Sequence, residues 1–196
     1  QQEYIKAYQS MLKSVYTYGG FWIGRYEAGI DGSITDLTKA RITHTTVTIG
    51  TSPKAISQKD AIPYNFVYCS EAQMLANEMT PDSNYRSSLM FGIQWDLVCK
   101  FLEVKSNLTT ADINSDSGSW GNYSNIARKI TSSRAKQSSN NGMTWTSISG
   151  QKESKNIMLS TGASDDTNRL NIYDFAGNEW EWTLEKSSES LPCSGR

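Results

Sequence analysis

The sequence predicts an α+β domain that is rich in loops and pinned by aromatic side chains. Three observations carry that expectation. Six Trp and ten Tyr stand among a large excess of Ser, Asn, Thr and Gly, so large apolar anchors alternate with residues that favour turns. Three stretches place apolar residues at helical spacing, and a few short stretches alternate as strands do. The length of 196 residues suits one domain, and the reading is a lead-in over residues 1–18 followed by a single domain over 19–196.

The elements follow in chain order. Tyr4, Ile5, Tyr8, Met11, Leu12 and Val15 recur at i, i+3, i+4 and i+7 and predict a short amphipathic helix. In "GGFWIGRYEAG" Phe21, Ile23 and Arg25 alternate with Trp22, Gly24 and Tyr26, which predicts a strand. "THTTVTIG" predicts a second strand or extended arm. It carries the single histidine, His44, read as a strand surface residue. "YNFVYCSEAQMLANEM" predicts a strand and then a helix, with Ser70 as N-cap and Gln73 three residues on, a capping-box spacing. Ala72, Leu75, Ala76 and Met79 form the apolar face of that helix. "SSLMFGIQWDLVCKFLE" predicts another helix, with Trp95, Val98, Cys99 and Leu102 on one core-facing stripe. From Ser106 to Asn168 the chain is polar, yet Trp120, Tyr123, Met143 and Trp145 predict ordered, anchored loops in place of a disordered linker.

Several function classes lose support at this point. Nineteen basic against twenty acidic residues give a net charge of −1, so no electrostatic footprint for nucleic acid is expected. No apolar run approaches the roughly 20 residues that span a bilayer. One histidine weakens any Ser-His-Asp reading. Cys69, Cys99 and Cys193 lack zinc spacing. One disulfide plus a thiol is open, and three buried thiols are the favoured alternative. "DINSDSGSWGN" lacks the glutamate of an EF-hand loop.

The most specific stretch is "NIYDFAGNEWEW", residues 171–182. Gly177 and Asn178 favour tight turns and positive φ, so the segment reads as a tight loop that turns polar oxygens inward and then enters a strand. With "SSLMFGIQWDLVCKF", "SWGNYSNIA" and "GGFWIGRYEAG", it resembles the formylglycine-generating-enzyme (sulfatase-modifying factor) family. That family has a Trp-bearing helix, a Trp-Gly-Asn turn and a Gly-Asn-x-Trp-Glu-Trp loop in the same order. The resemblance spans about residues 19 to 183.

The resemblance implies a C-type-lectin-like fold with two helices, a small twisted antiparallel sheet and long ordered loops. It further implies a structural calcium ion, with side-chain oxygens from Asp174 and Glu181 and backbone carbonyls of Gly177 and Glu179. The alternative is that the turn is purely structural, with Trp180 and Trp182 packing the core. The family's enzymes carry a reactive, copper-holding cysteine pair after the Trp-Glu-Trp strand. This chain stops at "LPCSGR" without that pair, so the expectation is no enzyme.

The resemblance further implies that the closing strand of this fold is missing. That leads to the expectation of a cleaved C-terminal segment or another subunit completing the sheet. "GGFWIGRYEAG" resembles the non-catalytic bacterial and phage surface proteins, or variable proteins of diversity-generating retroelements, that share the scaffold. The functional expectation is therefore a ligand-binding or display module, outside the cell or on a cell or virion surface. It would recognise a protein or glycan through Trp120, Tyr123, Asn125, Asn141 and Trp145. A fragment of a formylglycine-generating-type copper oxidase, or a structural subunit assembling by strand exchange, are the alternatives.

Overall fold

The computed structural model describes residues 2–31, 46–80, 82, 84–115, 117–185 and 194–195. It is mixed α+β. Helix α1 (Gln2–Tyr18) leads in, and α2 (Cys69–Asn77), α3 (Gly92–Lys105) and the single turn α4 (Thr110–Ile113) follow. Helix α1 is the expected lead-in, and three α-helices stand among the described residues of the domain where two were expected. The strands are two or three residues long. Strands β1 (Gly29–Ile30), β2 (Ala55–Ile56) and β3 (Ile62–Pro63) form one antiparallel sheet in the order β2-β1-β3. Strands β5 (Lys136–Ser138), β6 (Thr146–Ser147) and β8 (Met158–Leu159) form another in the order β6-β5-β8. Two antiparallel pairs complete the pattern, β4 (Arg128–Lys129) with β7 (Gln151–Lys152) and β9 (Trp182–Thr183) with β10 (Ser194–Gly195).

The strand expected over "GGFWIGRYEAG" is corrected. Only its end, Gly29–Ile30, pairs. The side-chain alternation survives without a ladder only as far as Gly24: Phe21 and Ile23 pack on the main core while Trp22 is 96% exposed, but Arg25 is exposed and Tyr26 half-buried, the reverse of the expected order. Strand β1 is central, so its two edges are filled by β2 and β3 and offer no opening for a donated strand. The strand expected at "YNFVYC" shrinks to Ile62–Pro63 before it. His44 and Cys193 lie outside the described residues.

Helix α2 begins one residue earlier than its expected cap. Tyr68 precedes the first turn, and Glu71, not Gln73, answers it. The Glu71 Oε2 accepts from the Tyr68 N–H at 2.9 Å, and Oε1 accepts from the Val47 N–H at 2.9 Å. A carboxylate at N3 can satisfy two backbone donors, which Ser70 cannot reach from inside the helix. Leu75 and Ala76 are buried, with Ala72 and Met79 half-buried beside them. Cys69 is disulfide-bonded, which overturns the three-thiol reading, and Cys99 remains a half-buried thiol.

Helix α3 keeps its expected stripe. Val98 and Leu102 are buried, and Trp95 and Cys99 pack against the same core. The Gln94 side chain accepts from the Phe91 N–H at 3.0 Å at the helix start. The Glu185 carboxyl fills the space where a Cβ on Gly92 would lie, placing negative charge against a helix N-terminus. The core beneath α3 also takes Trp120, Ile172 and Phe175. The Trp95 and Phe175 rings stack with centroids 4.1 Å apart.

Candidate functional site

The two Gly-Asn turns, "WGN" at 120–122 and "AGN" at 176–178, dock directly on one another. Asn122 N–H donates to the Ala176 carbonyl at 3.1 Å, and Asn178 N–H donates to the Asn122 carbonyl at 2.9 Å. Gly177 has φ 73° and Asn178 φ 67°, the left-handed backbone the sequence called for. A Cβ at Gly177 would lie 2.6 Å from the Asn122 carbonyl oxygen, and one at Gly121 would strike the Ala176 carbonyl. Both glycines are therefore required by close backbone approach.

The Asn178 side chain is a four-way clamp. Its Oδ1 accepts from Leu159 N–H and from Asn122 Nδ2, each at 2.9 Å. Its Nδ2 donates to Glu27 Oε2 at 2.7 Å and to the Leu159 carbonyl at 3.1 Å. Asn122 Nδ2 also donates to the Ile157 carbonyl at 3.1 Å. The two asparagines together therefore fix the backbone from Ile157 to Leu159 at the entry to β8.

Unlike charges sit behind the two turns. Behind 118–126 lie buried cations. Arg128 donates through Nε to the Gly121 carbonyl at 3.0 Å, and Lys152 Nζ donates to the Tyr123 and Ile126 carbonyls at 2.7 and 2.8 Å. Desolvation, with a contribution from Arg128, pulls the Lys152 pKa down to about 8. Behind 174–181 lie carboxyls. Burial raises the Glu179 pKa to about 7, partly offset by a hydrogen bond from Asn65. Burial and the nearby Asp174 raise that of Glu181 to about 8. Glu27 is pushed well above its usual range by burial first, then by Asp174 and Glu181.

Two of the calcium ligands implied by the resemblance are already engaged within the protein. Both Asp174 oxygens are taken, by the Gly162 N–H at 2.5 Å and the Thr167 hydroxyl at 2.7 Å. The Gly177 carbonyl accepts from Glu179 N–H at 2.9 Å. Among the described residues no group of three or more His, Cys, Asp or Glu side chains is placed to hold a metal. Protein donors hold the Asp174 oxygens of "NIYDFAGNEWEW", while Glu179 Oε1 and the neighbouring Glu27 Oε1 are buried without a hydrogen-bond partner. The structural alternative needs its own correction: Trp180 is 85% exposed, and only Trp182 turns in, donating to the Val67 carbonyl at 2.9 Å.

The expected ligand contacts separate. Trp120 is 4% and Trp145 8% exposed, so both are core anchors and correct the expectation that they face a ligand. The Trp120 Nε1–H donates to the Asp112 carbonyl and that of Trp145 to the Gly142 carbonyl, each at 3.1 Å; a buried indole needs such a partner. Tyr123 is half-buried against the main core. Asn125 and Asn141 are exposed, Asn125 accepting from the Ser117 hydroxyl and Asn141 at φ 55° in the β5–β6 turn. Met143, expected as an anchor, is 55% exposed.

A groove of about 660 Å³ opens on the β5–β7 side, where Gln137, Ser139, Ser147, Ser149, Gln151 and Asn156 line it. Its rim carries the Glu153–Lys155 ion pair at 2.5 Å. Ile157 forms part of one wall, and the Ile157 carbonyl is the group that Asn122 holds. The docked turns therefore position a wall of the groove. Sequence reasoning missed these residues, although Ser147, Ser149, Gln151 and Glu153 recur every second position with buried Lys152 between them, the period of one strand face. No helix among the described residues is long and apolar enough to cross a membrane. The chain matches no family model, no curated protein and no solved structure.

Proposed function

We propose that this domain is a non-catalytic binding module, on a scaffold of C-type-lectin-like kind, that presents the β5–β7 groove to a glycan or protein at a cell or virion surface. The observation that carries the reading is the groove, whose walls offer hydroxyls and side-chain amides, with a single ion pair at the rim. Such groups both donate and accept, which suits sugar hydroxyls and peptide backbone alike. Exposed Asn141 on the β5–β6 turn and exposed Ser and Asn side chains around it supply the adaptable polar contacts that recognition loops use. The disulfide at Cys69 suits an oxidising compartment outside the cytosol. It also commits one of the three cysteines, so that thiol is not available for copper chemistry.

The test is an array of immobilised bacterial glycans and surface proteins probed with the intact chain. The comparison is Ser147→Arg/Ser149→Arg, which fills the groove from solvent-exposed positions. Binding that falls at least about tenfold, with an unchanged thermal midpoint, supports the reading. Binding that survives the double substitution places recognition elsewhere and overturns it.

A further inference from the structure

Helix α3 has two apolar faces, and the fold uses one. Trp95, Val98, Cys99 and Leu102 meet the core. On the opposite side Ile93, Leu97, Phe101 and Val104 are 53%, 55%, 47% and 61% exposed. At 3.6 residues per turn these four fall within an arc of about 80° centred away from the core, along about 16 Å of helix. A solvent face needs none of them, and contiguous exposed apolar residues rimmed by charge mark interaction surfaces.

The spacing of the stripe says what covers it. The four residues run in steps of four, four and three, so the row reads nearly the same in both directions about a midpoint between Val98 and Cys99. A second α3 laid antiparallel across the first, with a two-fold axis through that midpoint, sets Ile93 beside Val104 of the other copy and Leu97 beside Phe101. Rows of i±4 residues interdigitate in this way in the commonest class of helix packing.

The charges obey the same axis. Asp96 and Lys100 flank the stripe on one side. In an antiparallel pair like flanks meet, so Asp96 of each copy falls level with Lys100 of the other. Lys100 is 66% exposed while it contacts Glu103 at 2.6 Å, so its three donors can serve both acids. We infer that the outer face of α3 is a self-docking surface through which two copies of this chain pair about a two-fold axis. Such isologous contacts are the commonest way soluble chains associate. A pair also carries two grooves, which raises avidity for a repeated ligand.

The experiment is sedimentation velocity of the intact chain over a range of concentrations, with circular dichroism and thermal unfolding on each variant. The wild type is expected to show a concentration-dependent dimer. Leu97→Glu and, separately, Phe101→Ser are expected to leave a monomer with an unchanged unfolding midpoint, since both positions face solvent. Asp96→Lys should weaken the dimer about tenfold by setting like charges together. Adding Lys100→Asp to it should restore the dimer to within about threefold. A wild type that stays monomeric to millimolar concentration overturns the proposal. So does a dimer that survives Leu97→Glu and Phe101→Ser, or a double charge exchange that fails to restore what the single one lost.

Discussion

The two docked turns, 118–126 and 174–181, are built from the same Gly-Asn motif and stabilised by opposite electrostatics. Behind the first, Arg128 and Lys152 neutralise inward carbonyls. Behind the second, Glu27, Glu179 and Glu181 have their pKa values raised by burial. Together the two turns show how a loop survives without a ladder. A turn that points its carbonyls inward needs buried donors, and long cationic side chains supply them. A turn that points carboxyls inward needs amide and hydroxyl donors, and otherwise holds protons. Asn122 and Asn178 are the shared border, since a side-chain amide carries both a donor and an acceptor and can face both sides.

The comparison is broken most severely at Asn178. Asn178→Ala removes four hydrogen bonds and strands partners on β8, Glu27 and Asn122. Chemical denaturation should show a loss of about 4 kcal/mol, since each buried group left unpaired costs about 1–3. Asn122→Ala removes two donors only and should cost about 2 kcal/mol. Equal losses would show that the clamp is shared evenly and not centred on Asn178. Lys152→Met keeps the volume but leaves the Tyr123 and Ile126 carbonyls without their donor, for a loss of about 1–2 kcal/mol.

The pH dependence sharpens the contrast, because the two turns titrate with opposite sign. An acid whose folded pKa lies above its unfolded value, near 4.5, keeps in the folded state a proton that the unfolded chain has released. Glu179 and Glu181 therefore make stability fall as pH rises from about 4.5 to about 8. Lys152 has a folded pKa of about 8 against the usual 10.5, so the unfolded chain holds the extra proton and stability rises again between about 8 and 10.5. Thermal unfolding from pH 5 to pH 10.5 should show a minimum near pH 8. Lys152→Met should abolish the recovery above it. The smallest effect concerns calcium: millimolar CaCl₂ at pH 8 should leave the midpoint unchanged. An upward shift would mean that the carboxyl cluster, with its unpartnered Glu27 and Glu179 oxygens, takes the ion.

Much of the fold was legible where side chains repeat. The core stripe of α3 and the left-handed pair Gly177–Asn178 both follow from sequence, because helical periodicity fixes the first and the positive-φ preference of Gly and Asn the second. The strands were less legible, since two-residue ladders carry too few positions for alternation to distinguish an extended loop from a paired strand. "GGFWIGRYEAG" alternates in burial from Phe21 to Gly24 yet pairs only at its end. Within the candidate site, the aromatic residues were read as contacts because Trp and Tyr serve cores and interfaces equally well. Only the hydrogen bonds from their indole nitrogens to the Asp112 and Gly142 carbonyls reveal which role Trp120 and Trp145 play. The buried Arg128 and Lys152 carry no sequence signal, since basic residues normally face solvent.

The unequal burial of the tryptophans gives the molecule its own optical readout. Trp22 and Trp180 stand in solvent at 96% and 85% exposure, while Trp120 and Trp145 are sealed at 4% and 8%. A water-soluble quencher such as iodide will extinguish the first pair and leave the second emitting at shorter wavelength. Trp180 lies between Glu179 and Glu181, so its quenchable, red-shifted fraction should follow the protonation of that turn. The sealed pair reports when the core opens, so local titration and global unfolding can be followed in one cuvette without any attached dye.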